Sequence, residues 1–430
     1  MGNAAPDRKP EPPTLERRRF LKKGVAVGAA LVAGAPLAAR AQTVQGAPAA
    51  APPSVPTDPT KELGEPTRAG YGSRSQFESS ARQQFKTKTN ESSWSFTPLH
   101  DSRGIITPSA LHFERHHAGI AHIDPAKHRL MIHGMVDRPL LLTMDEIKRL
   151  PSVSKIYFVE CSGNGLTEWR APTSKGVQGT HGLTSCSEWT GVPLSLLLKE
   201  AGPWGGAGWI VAEGADAAVM TRSIPLKKAM DDILVAYGQN GEAIRPEQGY
   251  PLRLVIPGWE GNTQVKWLRR IKVTHQPYYT REETSKYTDL LADGSARQFT
   301  FEMEAKSVIT YPSGDVHTLA GPGYYEITGL AWSGRGAIRK VDVSTDGGKT
   351  WKAAQLQEPI LRFAHTRFRF PWTWNGQEAI LQSRCSDETG YVQPSLAQLV
   401  KLRGLNSVYH LNGIQSWKVA ADGKVSNVHA

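Results

Sequence analysis

At 430 residues with 39% apolar side chains, the chain has material for two or three domains, each able to bury a core without cross-links. Its 3 cysteines, Cys161, Cys186 and Cys385, cannot all pair, and none sits in a C-x-x-C or C-x-x-C-H pattern, which argues against a cysteine-paired zinc site and covalently attached haem c. The formal charge of +11 suits an anionic substrate or an acidic partner, whereas no DNA- or RNA-binding motif supports a nucleic-acid role.

The N-terminal run "ERRRFLKKGVAVGAALVAGAPLAARAQ" has the order of a secretory signal. Basic residues come first, then a weakly apolar stretch broken by Pro36 and too short to span a membrane, then the small-x-small site Ala39-Arg40-Ala41. The arginines before Phe20-Leu21-Lys22 give it the twin-arginine character of exported, pre-folded proteins, so residues 1–41 are expected to be a leader and the mature protein periplasmic. An N-terminal anchor helix is the weaker reading, because Gly and Ala stand where Leu should. Nearly half of the excess positive charge belongs to this leader.

Residues 42–90 are rich in Ala, Pro and Thr and read as an extended arm. Residues 91–295 alternate short strand-like runs with helices, the pattern of an α+β domain. "HRLMIHGMV" reads as a strand. "TMDEIKRLP" reads as a short helix capped by Thr143, with Glu146 three residues on and Pro151 stopping it. "LSLLLKEAG" is a second helix closed by Gly202, and "YPLRLVIPGW" a buried strand. Residues 296–425 change texture to strands at regular spacing, with a hairpin turn at Asp346-Gly347-Gly348, and are predicted to form an all-β, immunoglobulin-like sandwich.

Three stretches concentrate chemistry: "LHFERHHAG" with Arg115, His116 and His117; "YFVECSGNG" with Cys161 at a strand-to-turn junction; and "GYPLRLVIPGWEGNTQVKWLRRIKV". By residue type alone, Cys161 reads equally as a buried thiol, and one of the adjacent histidines as structural. Arg253 alternates with Leu252 and Leu254, which points it toward a polar cavity or into an ion pair.

Together with "GLAWSGRGAIRKVDVSTDGGKTW" and "GYVQPSLAQLVKLRGLNSVYH", these stretches resemble the sulfite oxidase family of molybdenum enzymes from about residue 95 to 420. "SRGIITPSALHFERHHAGIAHIDPAKHRLMIHG" and "FVECSGNG" carry a narrower resemblance, to the molybdenum subunits of sulfane dehydrogenases of the Sox system. The resemblance implies a molybdopterin-binding domain followed by a dimerisation sandwich. It implies a molybdenum-molybdopterin cofactor with Cys161 as the protein's thiolate ligand, a soft donor suited to the metal. Arg115 and Tyr287 take catalytic positions beside the reacting oxygen. Phe113, His117, Asp216, Gln248, Arg253, Gln264 and Lys266 take pterin- and phosphate-contacting positions, where cationic side chains suit a phosphate. Cys186 and Cys385 match no ligand motif and are expected to be structural.

Two departures from the family pattern bear on substrate. Gly165-Leu166 stands where sulfite oxidases have arginines, and Gln248 replaces a histidine. Losing positive charge disfavours free sulfite and admits sulfur held on a carrier protein. A second-domain arginine reaches the pocket in relatives, and Arg362 and Arg367 are the candidates here. The resemblance further implies thiosulfate oxidation, electrons passed to a c-type cytochrome subunit because this chain has no haem site, and a homodimer within a heterotetramer. The alternative within the family is a free-sulfite dehydrogenase. A sulfoxide or nitrate reductase, a cofactor-free binding subunit and a cysteine hydrolase built on Cys161 and His117 fit less well.

Overall fold

Local chemistry starts and stops the helices as the sequence predicts. The computed structural model describes residues 70–430 except 86, 88–90, 316–317 and 407, so the leader and most of the arm lie outside the described residues. Thr143 accepts the Glu146 backbone N–H at 3.1 Å, Glu146 reaches back to the Thr143 N–H at 2.8 Å, and the helix Met144–Arg149 follows. The helix Leu194–Ala201 ends at Gly202, whose φ of +70° is left-handed and whose missing Cβ leaves room for Asp137.

Two five-stranded sheets build the α+β part. In one, Val153–Glu160 pairs with Thr184–Pro193, which pairs with Leu234–Gln239; the short strands Glu242–Ala243 and Arg253–Val255 complete it. In the other, Leu140–Thr143, Arg129–Gly134, Leu268–Thr274, Trp209–Gly214 and Thr221–Pro225 lie side by side, with one parallel pair between Arg129–Gly134 and Leu268–Thr274. Leu130, Ile132, Leu194, Leu198, Ile210, Val235, Leu254 and Ile271 fill the space between sheets and helices, each 0% exposed.

A smaller sheet precedes them. Gln83–Phe85, assigned to the arm from sequence, pairs with Ser93–Phe96, which pairs with Glu114–His116. Three aromatics explain why this segment joins the body: Phe85 meets Phe96 edge-on at 4.6 Å and stacks with Trp94 at 6.2 Å.

The C-terminal part is all antiparallel, a four-stranded sheet against a five-stranded one. Val308, Ile327, Trp332, Val341, Phe368, Leu381 and Trp417 form its core. The turn at Asp346 forms as predicted, with Gly347 and Gly348 at φ +74° and +83° and the Asp346 carboxylate accepting the Thr350 N–H at 2.9 Å. Among the described residues, no helix is long and apolar enough to cross a membrane.

Candidate active site around Cys161

The strand Val153–Glu160 delivers Cys161 into a tight turn. Cys161 N–H donates to Leu183 O at 3.0 Å, and Asn164 N–H donates to Cys161 O at 2.9 Å. Gly165 is required twice over: its φ is +84°, and a Cβ there would meet Leu411 at 2.7 Å. Cys161 is 8% exposed; burial pushes its thiol up, while the Gly163 N–H and Arg115 work against that rise. A thiolate at this position therefore calls for a cation.

Cys161 sits in the wall shared by two cavities, of about 680 and about 1240 Å³, both also lined by Arg115, His117 and Tyr287. The first is polar at its far side, lined by Phe113, Asp216, Gln248, Arg253, Gln264 and Lys266, so every cofactor position inferred from sequence falls on one cavity. The second is walled by Phe85, Trp94, Leu166, Leu183, Lys286 and Tyr409.

In the first cavity, neutral groups hold the cations. Arg253 donates to the carbonyls of Gln248 at 2.9 Å and Gln264 at 3.4 Å, and lies 4.8 Å from the Trp189 ring. Lys266 Nζ donates to Glu247 O at 2.9 Å, Arg115 O at 3.2 Å and His116 Nδ1 at 2.9 Å. This leaves the His116 Nε2–H facing Glu114 Oε2 at 2.9 Å. Among the described residues, no carboxylate stands within ion-pair distance of Arg253 or Lys266. Burial lowers both, Lys266 to about 7. Gln248 Nε2 donates to Phe113 O at 2.9 Å, Gln264 Nε2 to Trp259 O at 3.0 Å, and Asp216 accepts the Met220 N–H at 3.1 Å.

His117 and Tyr287 meet beside Cys161, with Nε2 and the hydroxyl 2.9 Å apart. Burial pushes the Tyr287 hydroxyl up and, with Arg115, brings His117 down to about 3, so this pair is neutral at physiological pH. The Arg115 guanidinium lies 5.4 Å from the Trp94 ring and donates to Ser92 Oγ at 3.2 Å.

A group with a phosphate and a metal carrying its own further ligands fits this arrangement. The buried cations bond only neutral groups, His112 Nε2 is buried without a partner, and one thiol faces the same space. Among the described residues, no cluster of three or more His, Cys, Asp or Glu could hold a metal by itself. The metal would therefore bring most of its donors with it.

Two expectations need correction. Arg362 is exposed and pairs with Glu388 at 2.6 Å, and Arg367 is turned to the carbonyls of Gly104 and Ser102 at 3.0 and 2.7 Å. Neither lines a cavity at Cys161. Arg362 instead borders a separate cleft, and the Arg367 guanidinium is taken up by the loop carbonyls of Ser102 and Gly104. The C-terminal residue that does reach the site is Tyr409, 5.3 Å from the Tyr287 ring. Sequence reading passed over Tyr409, Phe85, Trp94 and Lys286; the one available signal was that Tyr409 stands next to last in the family-like run "LVKLRGLNSVYH". Cys186 and Cys385 are buried in the core with raised thiols, consistent with structural roles.

Lys266 gives a test of the electrostatics. Its folded value, about 7, lies below its ordinary 10.5, so between these the unfolded chain binds more protons and stability rises with pH. Cofactor-free protein should gain thermal stability from about pH 7 to about pH 9, and Lys266→Met should flatten that slope. A slope unchanged by the substitution would show that Lys266 is not desolvated as described.

Comparisons with known proteins agree with this geometry. A family model described as "Oxidoreductase molybdopterin binding domain" matches residues 117–281, and one described as "Mo-co oxidoreductase dimerisation domain" matches residues 297–416. The chain is 30% identical over 338 residues to sulfite oxidase of Gallus gallus, covering 71% of this chain and 72% of that protein. It is 30% identical over 353 residues to an NADH nitrate reductase of Ulva prolifera, covering 72% of this chain but 40% of the reductase's length. Among solved structures, the sulfane dehydrogenase SoxCD from Paracoccus pantotrophus matches with a TM-score of 0.85 and 49% identity, covering 86% of this chain and 96% of that one.

Proposed function

The chain belongs to the sulfite oxidase family of molybdopterin oxidoreductases, and from that premise we propose that it is the molybdenum subunit of a sulfane dehydrogenase, oxidising sulfur bound to a carrier protein during thiosulfate oxidation. The observation that carries this reading is the second cavity. It opens from Cys161 along a wall of Leu166, Trp94, Phe85 and Tyr409, with Leu166 apolar where sulfite oxidases place an arginine, so that its cations are Arg115 and Lys286 alone. The 49% identity to a sulfane dehydrogenase supports it.

When bound, the molybdenum–pterin group supplies oxygen-atom transfer to sulfur and takes up two electrons. The chain's own residues bind and orient. Cys161 offers the thiolate, and Arg253 and Lys266, aided by Gln264 and Asp216, hold the pterin and its phosphate. Arg115 holds an anionic sulfur–oxygen group as charge develops on it. The neutral His117–Tyr287 pair donates a hydrogen bond without placing a further charge near the metal. Electrons leave to a c-type cytochrome subunit, the sandwich joins two copies of the chain, and the leader exports the folded protein to the periplasm through the twin-arginine route.

A free-sulfite dehydrogenase is the rival, favoured by the two cations at the cavity, Arg115 and Lys286. Leu166→Arg separates the two readings. It should raise kcat/KM for free sulfite about tenfold, worth about 1.4 kcal/mol of transition-state binding, and lower it for persulfidated carrier. Unchanged sulfite kinetics in steady-state assays would show that Leu166 does not set the preference.

A further inference from the structure

The turn that presents Cys161 is gripped from the second domain, and we propose that Glu160 and Lys306 are positioning residues for the metal-binding thiol, so that the sandwich helps build the active site. The inference rests on Cys161 being the ligand.

Glu160 directly precedes Cys161 and is 0% exposed; Lys306, at the start of the first sandwich strand, is 1% exposed. Lys306 Nζ lies 2.5 Å from Glu160 Oε1. Trp332, directly across the ladder from Lys306, donates its indole N–H to Glu160 Oε2 at 2.6 Å. Asn164 Nδ2 donates to Oε1 at 2.9 Å. Asn164 also closes the turn, its N–H on Cys161 O and its Oδ1 accepting the Leu183 N–H at 3.1 Å. One carboxylate thus ties both ends of the Cys161–Asn164 turn to the sandwich.

The other flank is held as well. His410 N–H donates to Ser162 O at 2.8 Å, and Asn262 Nδ2 bridges Ser162 Oγ at 3.1 Å and Glu260 Oε2 at 2.7 Å. Glu260 pairs with Arg222 at 3.2 Å. Gly261 permits this approach: a Cβ there would lie 2.9 Å from Glu160 O and 3.3 Å from Cys161 Cα.

A buried ion pair is a poor way to gain stability, since well-packed apolar residues of the same volume do as well or better. What it adds is direction. Short, charge-assisted bonds fix a carboxylate where non-directional contacts would let it slide. A metal ligand must be held within about 0.5 Å of its productive position by residues behind it. Three donors converging on the residue before Cys161 meet that need.

The test compares the double variant Glu160→Gln with Lys306→Met, which leaves no unpaired charge, and the single variant Trp332→Phe, which keeps an aromatic ring in the core and deletes one donor. The first readout is the iodoacetamide alkylation rate of Cys161 in cofactor-free protein. It is mapped by mass spectrometry, so that Cys186 and Cys385 report any general loosening. The second is molybdenum content, with kcat and KM, of loaded protein. In the double variant, Cys161 should alkylate about tenfold faster with Cys186 and Cys385 still protected, and kcat should fall about tenfold with KM nearly unchanged. Trp332→Phe should move both readouts the same way, by about threefold. Cys161 alkylation and kcat both within about twofold of wild type in these variants would overturn the proposal. If the double variant exposes all three cysteines, Trp332→Phe decides alone. The alkylation arm needs no metal, so its failure is distinct from a failure of the ligand assignment, which would appear as turnover surviving Cys161→Ser.

Discussion

Cys161→Ser is expected to reduce turnover by more than about 10³-fold while leaving the fold intact. The thiol is replaced by a smaller group at a position where Cys161 bonds through its backbone, to Leu183 and Asn164, so the turn keeps its hydrogen bonds. The loss in stability should stay near 1 kcal/mol. A serine hydroxyl is a harder donor and ionises far less readily than a thiol, so it cannot replace soft thiolate donation to the metal. Steady-state kinetics and a thermal melt of the same sample check this. Activity within about tenfold of wild type would remove Cys161 from the metal's coordination.

Arg253→Met and Lys266→Met should produce the next largest change, loss of cofactor. Both cations are anchored by neutral groups, so among the described residues no ion-paired carboxylate competes with a bound phosphate for their charge. Truncating one partner of a buried charged contact costs about 2–5 kcal/mol of binding, enough to release most of the cofactor during purification. Arg253→Met also strips donors from the carbonyls of Gln248 and Gln264 and should lower stability by about 1–3 kcal/mol. Lys266 is replaceable at its carbonyls by water, so Lys266→Met should lose cofactor with a smaller cost to the fold. Molybdenum per chain, measured by elemental analysis after gel filtration, reports the effect. Full occupancy in both variants would mean that these cations do not hold the cofactor.

Short-range order made much of this legible in the sequence. The Thr143 capping box, the Gly202 stop and the Asp346 turn depend on neighbours within a few residues, and all three form as read. The strand-to-turn placement of Cys161 is equally local. The cofactor-side set from Phe113 to Lys266 was reached through family resemblance, and the fold brings it to one cavity. Tyr287, placed beside the reacting oxygen by resemblance, lies 2.9 Å from His117, 170 positions away in the chain.

What was missed depends on tertiary packing. Arg362 and Arg367 look equivalent in the sequence because nothing local says that Arg362 stands in an exposed turn while Arg367, on the strand Thr366–Trp374, meets the carbonyls of Ser102 and Gly104. Tyr409 reaches the site from a loop whose path no periodicity encodes. Phe85 was assigned to the arm because Ala and Pro dominate residues 42–70, although three aromatics pull its strand onto Ser93–Phe96. The Glu160–Lys306 pair is separated by 146 positions, and neither residue's type suggests complete burial.

The most direct test of the central claim is the ratio of kcat/KM for persulfidated carrier protein to that for free sulfite, measured on molybdenum-loaded protein with cytochrome c as acceptor. The apolar wall of Leu166, Trp94, Phe85 and Tyr409 beside Cys161 predicts a ratio above about ten. Efficient turnover of free sulfite with none of the carrier would contradict it.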